Sequence, residues 1–232
     1  MEKDTHTHSN NSANGDSIFY RDSKKGMRLI VKARQAMFNL FLEQVQPTSN
    51  SKIIDIGVSG EENDGANFLE QNYQWPHQIT CAGIGDGQNL KLAHPKVSFV
   101  NIEPNKRLPF SDNYFDISYS NAVIEHVGGQ AERALFISEH IRVAKIVFLT
   151  FPNRWFPVEH HTSIPLLHFS PTIFRKILRG TRYHEWTDLK LLDFLDKEKI
   201  ASEWPTSTQP TLIHTGIQLG RFSSNVAVIY KK

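Results

Sequence analysis

The sequence predicts a doubly wound α/β domain: a mostly parallel, seven-stranded sheet with helices on both faces and a closing antiparallel strand. Three observations carry that prediction. Short, continuous apolar runs recur at 52–58, 78–84, 97–102, 114–119 and 145–151. Runs of this kind suit strands covered on both faces, as parallel strands are. Between them lie segments of helical spacing or length, at 66–73, 88–93 and 130–143, so strand and helix alternate as crossover connections require. The chain then ends in two further apolar runs, 211–219 and 223–230, separated by Gly220-Arg221. So short a link makes them antiparallel neighbours.

At 232 residues, with 39% hydrophobic and 22% charged side chains, the chain suits one domain with a sizeable core. A net charge of +2 and a pI near 8.6 are too mild to argue for a nucleic-acid partner. Arg175, Lys176, Arg179 and Arg182, at one helix end, read as a solvated face. No apolar run approaches the ~20 residues that span a bilayer, and residues 1–16 are polar, unlike a secretory signal. The expected compartment is cytoplasmic. The single cysteine, Cys81, excludes an internal disulfide and any multi-cysteine zinc site, and its apolar run makes it a buried, inert thiol.

Residues 1–17 are rich in Asn, Ser, Thr and His without apolar period and read as a disordered tail. The remainder, 18–232, reads as one domain. A helix at 24–46 follows from the spacing of Met27, Ile30, Val31, Arg34, Met37, Phe38, Phe41 and Leu42, and Pro47 lies just beyond its end. Lys24, Lys25, Arg28 and Lys32 form its solvated face. After the fifth strand the rhythm breaks. Residues 152–186 read as a substrate-side insert, whose first part gathers Pro152, Pro157 and Pro165 with Trp155, Phe156, Glu159, His160, His161 and His168. A long connection without period is usually functional. A helix is expected at 171–178, with Ser170 as N-cap and Pro171 in its first turn, and another at 187–195, capped by Thr187.

Function is most legible at the strand ends, because ligands of open α/β sheets bind beyond the carboxyl ends of the strands. Asp55-Ile-Gly57-Val-Ser-Gly60 closes the first strand, where glycine permits a sharp turn and close approach of a ligand. The second strand runs into Gly85-Asp86 and the third into Glu103. Residues 108–127, LPFSDNYFDISYSNAVIEHV, hold a turn at Ser111-Asp112-Asn113, a buried strand, the polar break Ser120-Asn121 and the pair Glu125-His126. This segment resembles the fourth strand of class I S-adenosylmethionine-dependent methyltransferases, where LPF-x-D-x-x-FD-x-x-x-S-x-A-x-x-EH-V recurs. The D-x-G-V-[ST] loop, the helix start Asn67-Phe68-Leu69-Glu70 and the later stretch PNRWFPVE-x-HT-x-x-P-LLHF are similar to a bacterial, type 11-like branch of that family.

The resemblance implies a Rossmann-like methyltransferase fold with S-adenosylmethionine as cofactor. It places Asp55 and Gly57 at the methionine end, Glu103 at the adenine amino group, and Ser120 and Asn121 on the sulfonium side. The family's ribose-binding acid falls on Gly85, with Asp86 one residue late. Either Asp86 reaches the ribose diol from a shifted backbone or ribose binding is weakened. Branch members are often associated with surface-glycan or lipid-linked metabolism, so the implied acceptor is a small molecule, a glycan or a lipid-linked hydroxyl.

A sulfonium is already an activated donor, so methyl transfer needs mainly in-line positioning of the acceptor in a dry pocket. An oxygen acceptor also needs a base near neutral pKa, which histidine supplies. His126 or His161 is the expected base or orienting group, with Trp155 and Glu159 on the acceptor wall. Glu159, His161 and His168 could converge on a metal, but no H-x-x-x-H or H-E-x-x-H spacing occurs and no metal is expected. Two rival readings stand beside this one. A catalytically degenerate methyltransferase-like binding or regulatory protein would explain Val58, Ser59 and Gly85. A dinucleotide enzyme would need G-x-G-x-x-G after the first strand, which Gly57-Val-Ser-Gly60 does not provide.

Overall fold

The computed structural model describes residues 24–60, 65–207 and 209–232, and the tail expected over 1–17 lies outside them. The strands are β1 (Ile53–Val58), β2 (Ile79–Gly83), β3 (Ser98–Asn101), β4 (Phe115–Asn121), β5 (Ala144–Pro152), β6 (Thr211–Leu219) and β7 (Phe222–Lys231). They form one sheet in the order β3-β2-β1-β4-β5-β7-β6. Neighbours from β3 to β5 are parallel, and β7 runs antiparallel to both β5 and β6. The helices are α1 (Lys24–Val45), α2 (Phe68–Asn72), α3 (Gln88–Ala93), α4 (Gln130–Val143), α5 (Pro171–Leu178) and α6 (Lys197–Glu203). This is the doubly wound sheet that the apolar runs predict.

Alternating side chains of each strand feed two separate cores. Phe148 of β5 joins Ile53, Cys81, Tyr119 and Ile229 under Phe38 and Phe41 of α1 and Phe68 and Leu69 of α2. Its neighbours Val147, Leu149 and Phe151 face the opposite side, against Ile137 of α4, Ile200 of α6 and Trp204 just past its end. Phe41 is the keystone of the first layer, edge-on to both Tyr119 (5.2 Å) and Phe148 (5.3 Å). The strand order reverses between β1 and β4, and a crevice opens at their carboxyl ends, the expected place for a ligand. No helix among the described residues is long and apolar enough to cross a membrane.

Several local expectations are corrected. Residues 188–195 are not helical, and Thr187 instead closes a 3-10 turn, its hydroxyl donating to the His184 carbonyl at 2.6 Å. Leu192 and Phe194 pack on α5, whereas Leu195 joins the core of the sheet and bridges Asn153. Burial on two different sides overrides the local helical spacing of this strap: the Leu191 and Leu192 N–H groups donate to the Asp188 carbonyl at 3.1 and 3.0 Å in a single turn, and no helix continues from it. The helix follows as α6, where the Asp196 carboxylate caps by accepting from the Lys199 N–H at 2.8 Å. Ser170 stands at the N-cap position of α5 without a side-chain cap bond, and Pro171 opens the helix. Strand β4 continues through Ser120 and Asn121. Ser120 Oγ donates to the Ile56 carbonyl at 2.6 Å and Asn121 Oδ1 accepts from Thr150 Oγ1 at 2.7 Å, so the sheet end accommodates both polar side chains.

Candidate active site

The carboxyl ends of β1, β2 and β4 border a cleft of about 1290 Å³. Gly57 has φ +97°, and a Cβ there would lie 2.4 Å from Val123 Cγ2, so the loop after β1 presses on the turn after β4 as only glycine allows. Asn67, with φ 43°, clamps the same loop. Its side-chain oxygen accepts from the Ser59 N–H at 3.3 Å and its amide donates to the Ser59 carbonyl at 3.0 Å.

Asp55 lies buried next to Glu70 of α2. Burial first, then the Glu70 charge, push the Asp55 carboxyl well above the usual range, while Arg34 of α1 opposes the shift. Burial also raises Glu70. Burial and the neighbouring charge thus both favour the protonated form of Asp55. Cys81 Sγ donates to Glu70 Oε1 at 3.2 Å, and burial pushes the thiol far up, so it stays protonated and inert. Arg34 reaches into the cleft from α1, its Nη1 3.5 Å from the Asn121 carbonyl.

At the end of β2 the cleft wall is apolar. Ile84 lines it and is 71% exposed. Gly85, with φ +95°, donates its N–H to Asn101 Oδ1 at 3.0 Å. Asp86 is not part of the lining, and its Oδ1 accepts from the Gln88 N–H at 3.0 Å at the start of α3. Glu103, exposed after β3, does line the cleft. Past β4 the chain turns at Ala122 (φ +57°), whose N–H donates to the Thr150 carbonyl at 2.9 Å.

Next to that turn stands a histidine pair. His126 closes a 3-10 turn, Ile124–His126, and lines the cleft; His161 comes from the insert and is buried. Their Nε2 atoms are 3.2 Å apart and their rings are perpendicular. His161 Nδ1 donates to Glu159 Oε1 at 2.7 Å. Glu159 also accepts from the His161 N–H at 3.0 Å, from the Thr162 N–H at 2.6 Å and from Thr162 Oγ1 at 2.7 Å. Against the cost of burial, His161 and these donors hold the Glu159 carboxyl down at about 2. The indole of Trp186 packs 4.8 Å from the His161 ring. On the far side, the Asp193 N–H donates to the Glu125 carbonyl at 2.9 Å. The Asp193 carboxylate and the Glu203 carboxylate of α6 both bind Arg133 of α4 at 2.7 Å, so one buried guanidinium ties strap, α6 and turn together.

Residues 71–146 match the family model described as a methyltransferase domain. The fold is similar to that of a protein from Pyrococcus horikoshii OT3, PH0226, at 15% identity and TM-score 0.56, over 92% of this chain and 97% of that one. It is also similar to magnesium protoporphyrin IX methyltransferase (ChlM) from Synechocystis PCC 6803, solved with bound SAH, at 13% identity and TM-score 0.56, over 89% and 86%. A SAM-dependent methyltransferase from Aquifex aeolicus gives 13% identity and TM-score 0.52 over 91% and 95%. The chain thus matches a methyltransferase domain over residues 71–146 and shares the fold of these solved structures along most of its length. No curated protein matches the sequence.

Asp55, Gly57, Glu103, Asn121 and His126 line one cleft. Ser120 lies buried beneath it, bonded to β1. His161 and Glu159 join His126 as a chain of contacts, with Glu159 reaching the cleft only through His161. Asp86 and Trp155 stand apart. Trp155 is 43% exposed, with the Arg154 guanidinium 4.6 Å above its ring. His168 donates from Nε2 to the Phe156 carbonyl at 2.9 Å, away from the pair. Arg34, Glu70, Glu125 and Trp186 carry no site role in the sequence reading. Arg34 carried a signal, a charge on the apolar stripe of its helix. Trp186 carried none.

Proposed function

We propose that this domain transfers the methyl group of S-adenosylmethionine to an oxygen of a small-molecule, glycan or lipid-linked acceptor. The observation that carries the oxygen preference is the Glu159–His161–His126 chain ending at the lip of the cleft. In this reading Gly57 lets the cofactor approach the backbone, and Asp55 meets the cationic methionine end. Arg34 pairs the methionine carboxylate, Glu103 accepts from the adenine amino group, and Ser120 supports Asn121 at the sulfonium side. Asp86, turned toward α3, is left out of ribose binding. The histidine pair orients the acceptor hydroxyl and takes its proton as the oxygen attacks the methyl carbon; the carbon–sulfur bond breaks and S-adenosylhomocysteine leaves.

The test is transfer of label from methyl-tritiated S-adenosylmethionine to a panel of sugars, nucleotide sugars and lipid-linked glycans. Label in an alkali-stable ether, falling at least about a hundredfold in His126→Ala, is the expected result. Label confined to nitrogen or sulfur would overturn the oxygen assignment. A second reading, a methyltransferase-like binding protein without turnover, is favoured by Ile84 and Gly85 where a ribose-binding acid would stand. It expects cofactor binding without transfer to any acceptor.

A further inference from the structure

Glu125, His126 and His161 each bring one ligand atom within 4.8 Å of the others. The protons of the two rings can be placed from their partners. His161 Nδ1 faces the Glu159 carboxylate at 2.7 Å, and His126 Nδ1 faces the Leu191 carbonyl at 2.5 Å. A carbonyl oxygen only accepts, and the Glu159 carboxylate likewise accepts from the His161 N–H, the Thr162 N–H and Thr162 Oγ1. Each ring therefore carries a proton on Nδ1 and, when neutral, presents a lone pair at Nε2. These two Nε2 atoms face each other at 3.2 Å. Facing lone pairs repel unless a cation lies between them. Two imidazoles on one tetrahedral metal, with metal–nitrogen bonds of about 2.0–2.1 Å, hold their nitrogens about 3.3 Å apart. The Glu125 carboxylate, 2% exposed and with Oε1 3.9 Å from His126 Nε2, adds a third donor and a negative charge.

The geometry points to a divalent transition-metal site of the zinc type, with His126 Nε2, His161 Nε2 and a Glu125 oxygen as ligands and a fourth position open to the cleft. Mixed imidazole and carboxylate donors suit zinc and its first-row neighbours rather than magnesium or calcium, which take oxygen ligands. Glu159 and the Leu191 carbonyl are the outer partners that fix a metal-bound histidine's tautomer and orientation. Because His126 lines the cleft while Glu125 and His161 are buried, the open position faces the methyl acceptor. This deepens the reading above and rests on it for one point alone: a metal there would hold the acceptor oxygen and lower its pKa, the imidazoles serving as its ligands in place of a base and the acceptor's proton passing to water of the cleft.

The experiment strips the full chain with a chelator, then titrates it with Zn(II) by calorimetry and with Co(II) by visible absorption. One metal per chain, with intense d–d bands of a four- or five-coordinate site, is the expected result. Glu125→Gln and His161→Ala should each weaken binding at least a hundredfold, and Glu159→Gln by about 10–100-fold, with far-ultraviolet circular dichroism showing that each variant is folded. A His6→Ala/His8→Ala chain controls for the histidines near the N-terminus and should bind as the parent does. A folded chain that takes up neither metal overturns the site and leaves a shared proton between the two Nε2 atoms. So does binding that survives in Glu125→Gln and His161→Ala. S-adenosylmethionine binding to the stripped chain separates the two readings. A chain that binds cofactor but takes up no metal on titration sinks the site alone, and one that takes up metal but binds no cofactor sinks the methyl-transfer reading alone.

Discussion

Replacing Glu159 by Gln keeps the side chain's shape and removes the charge on which four hydrogen bonds converge. In the folded chain the carboxyl is held at about 2 against an ordinary 4.5, a gap of about 2.5 units, and each unit is about 1.4 kcal/mol. The ionised form therefore contributes about 3 kcal/mol at neutral pH. The folded pKa is depressed, so this contribution is complete above the unfolded value of 4.5 and is lost as pH falls through about 2. At pH 3 about 1 kcal/mol should remain. Urea unfolding of parent and Glu159→Gln chains at several pH values measures the gap directly. A gap of about 3 kcal/mol at pH 7 that narrows to about 1 kcal/mol at pH 3 is expected. A variant as stable as the parent at pH 7, or a gap that does not depend on pH, would refute the assignment of Glu159 as the buried anion that holds His161.

Three further outcomes follow from the same structure. Arg133→Met leaves the carboxylates of Asp193 and Glu203 without their buried partner and should cost about 3–5 kcal/mol in urea unfolding; a loss below 1 kcal/mol would show that this ion cluster is not what ties the strap to α4. Gly57→Ala puts a methyl 2.4 Å from Val123 Cγ2 at φ +97°, so calorimetry should show S-adenosylmethionine binding at least tenfold weaker, partly restored in Gly57→Ala/Val123→Ala. Cofactor binding should also respond to pH. The raised Asp55 carboxyl must ionise to meet a cationic ligand. Affinity should rise with pH toward the Asp55 pKa and level off above it, with a proton released on binding and seen as a buffer-dependent heat. Affinity that is flat or falls with pH would remove Asp55 from that role.

The sheet was legible because each strand is a short apolar run whose two faces both meet core, and the order of runs left few topologies. The strap at 188–195 was not. Leu191, Phe194 and Leu195 are spaced as a helix face would be, yet Phe194 and Leu195 are buried on different neighbours, which only the tertiary structure reveals. At the site, Asp55, Gly57 and Glu103 were readable because strand ends dictate where such residues must stand. Asp86 has a local alternative partner: its carboxylate closes a turn onto the Gln88 N–H at the start of α3. The partnership of His126 with His161 spans 35 residues and depends on how the insert folds back over the turn after β4. Neither spacing nor composition encodes that meeting, and Glu125 joins it only because the same turn carries both residues.

The central claim is that the cleft at the carboxyl ends of β1 and β4 binds S-adenosylmethionine. Calorimetric titration of the purified chain with S-adenosylmethionine and with S-adenosylhomocysteine, beside an Asp55→Ala chain, tests it most directly. Micromolar binding of both ligands, lost or weakened at least tenfold in the variant, is the expected result. No heat from either ligand with a chain shown to be folded, or binding indifferent to Asp55, would contradict it.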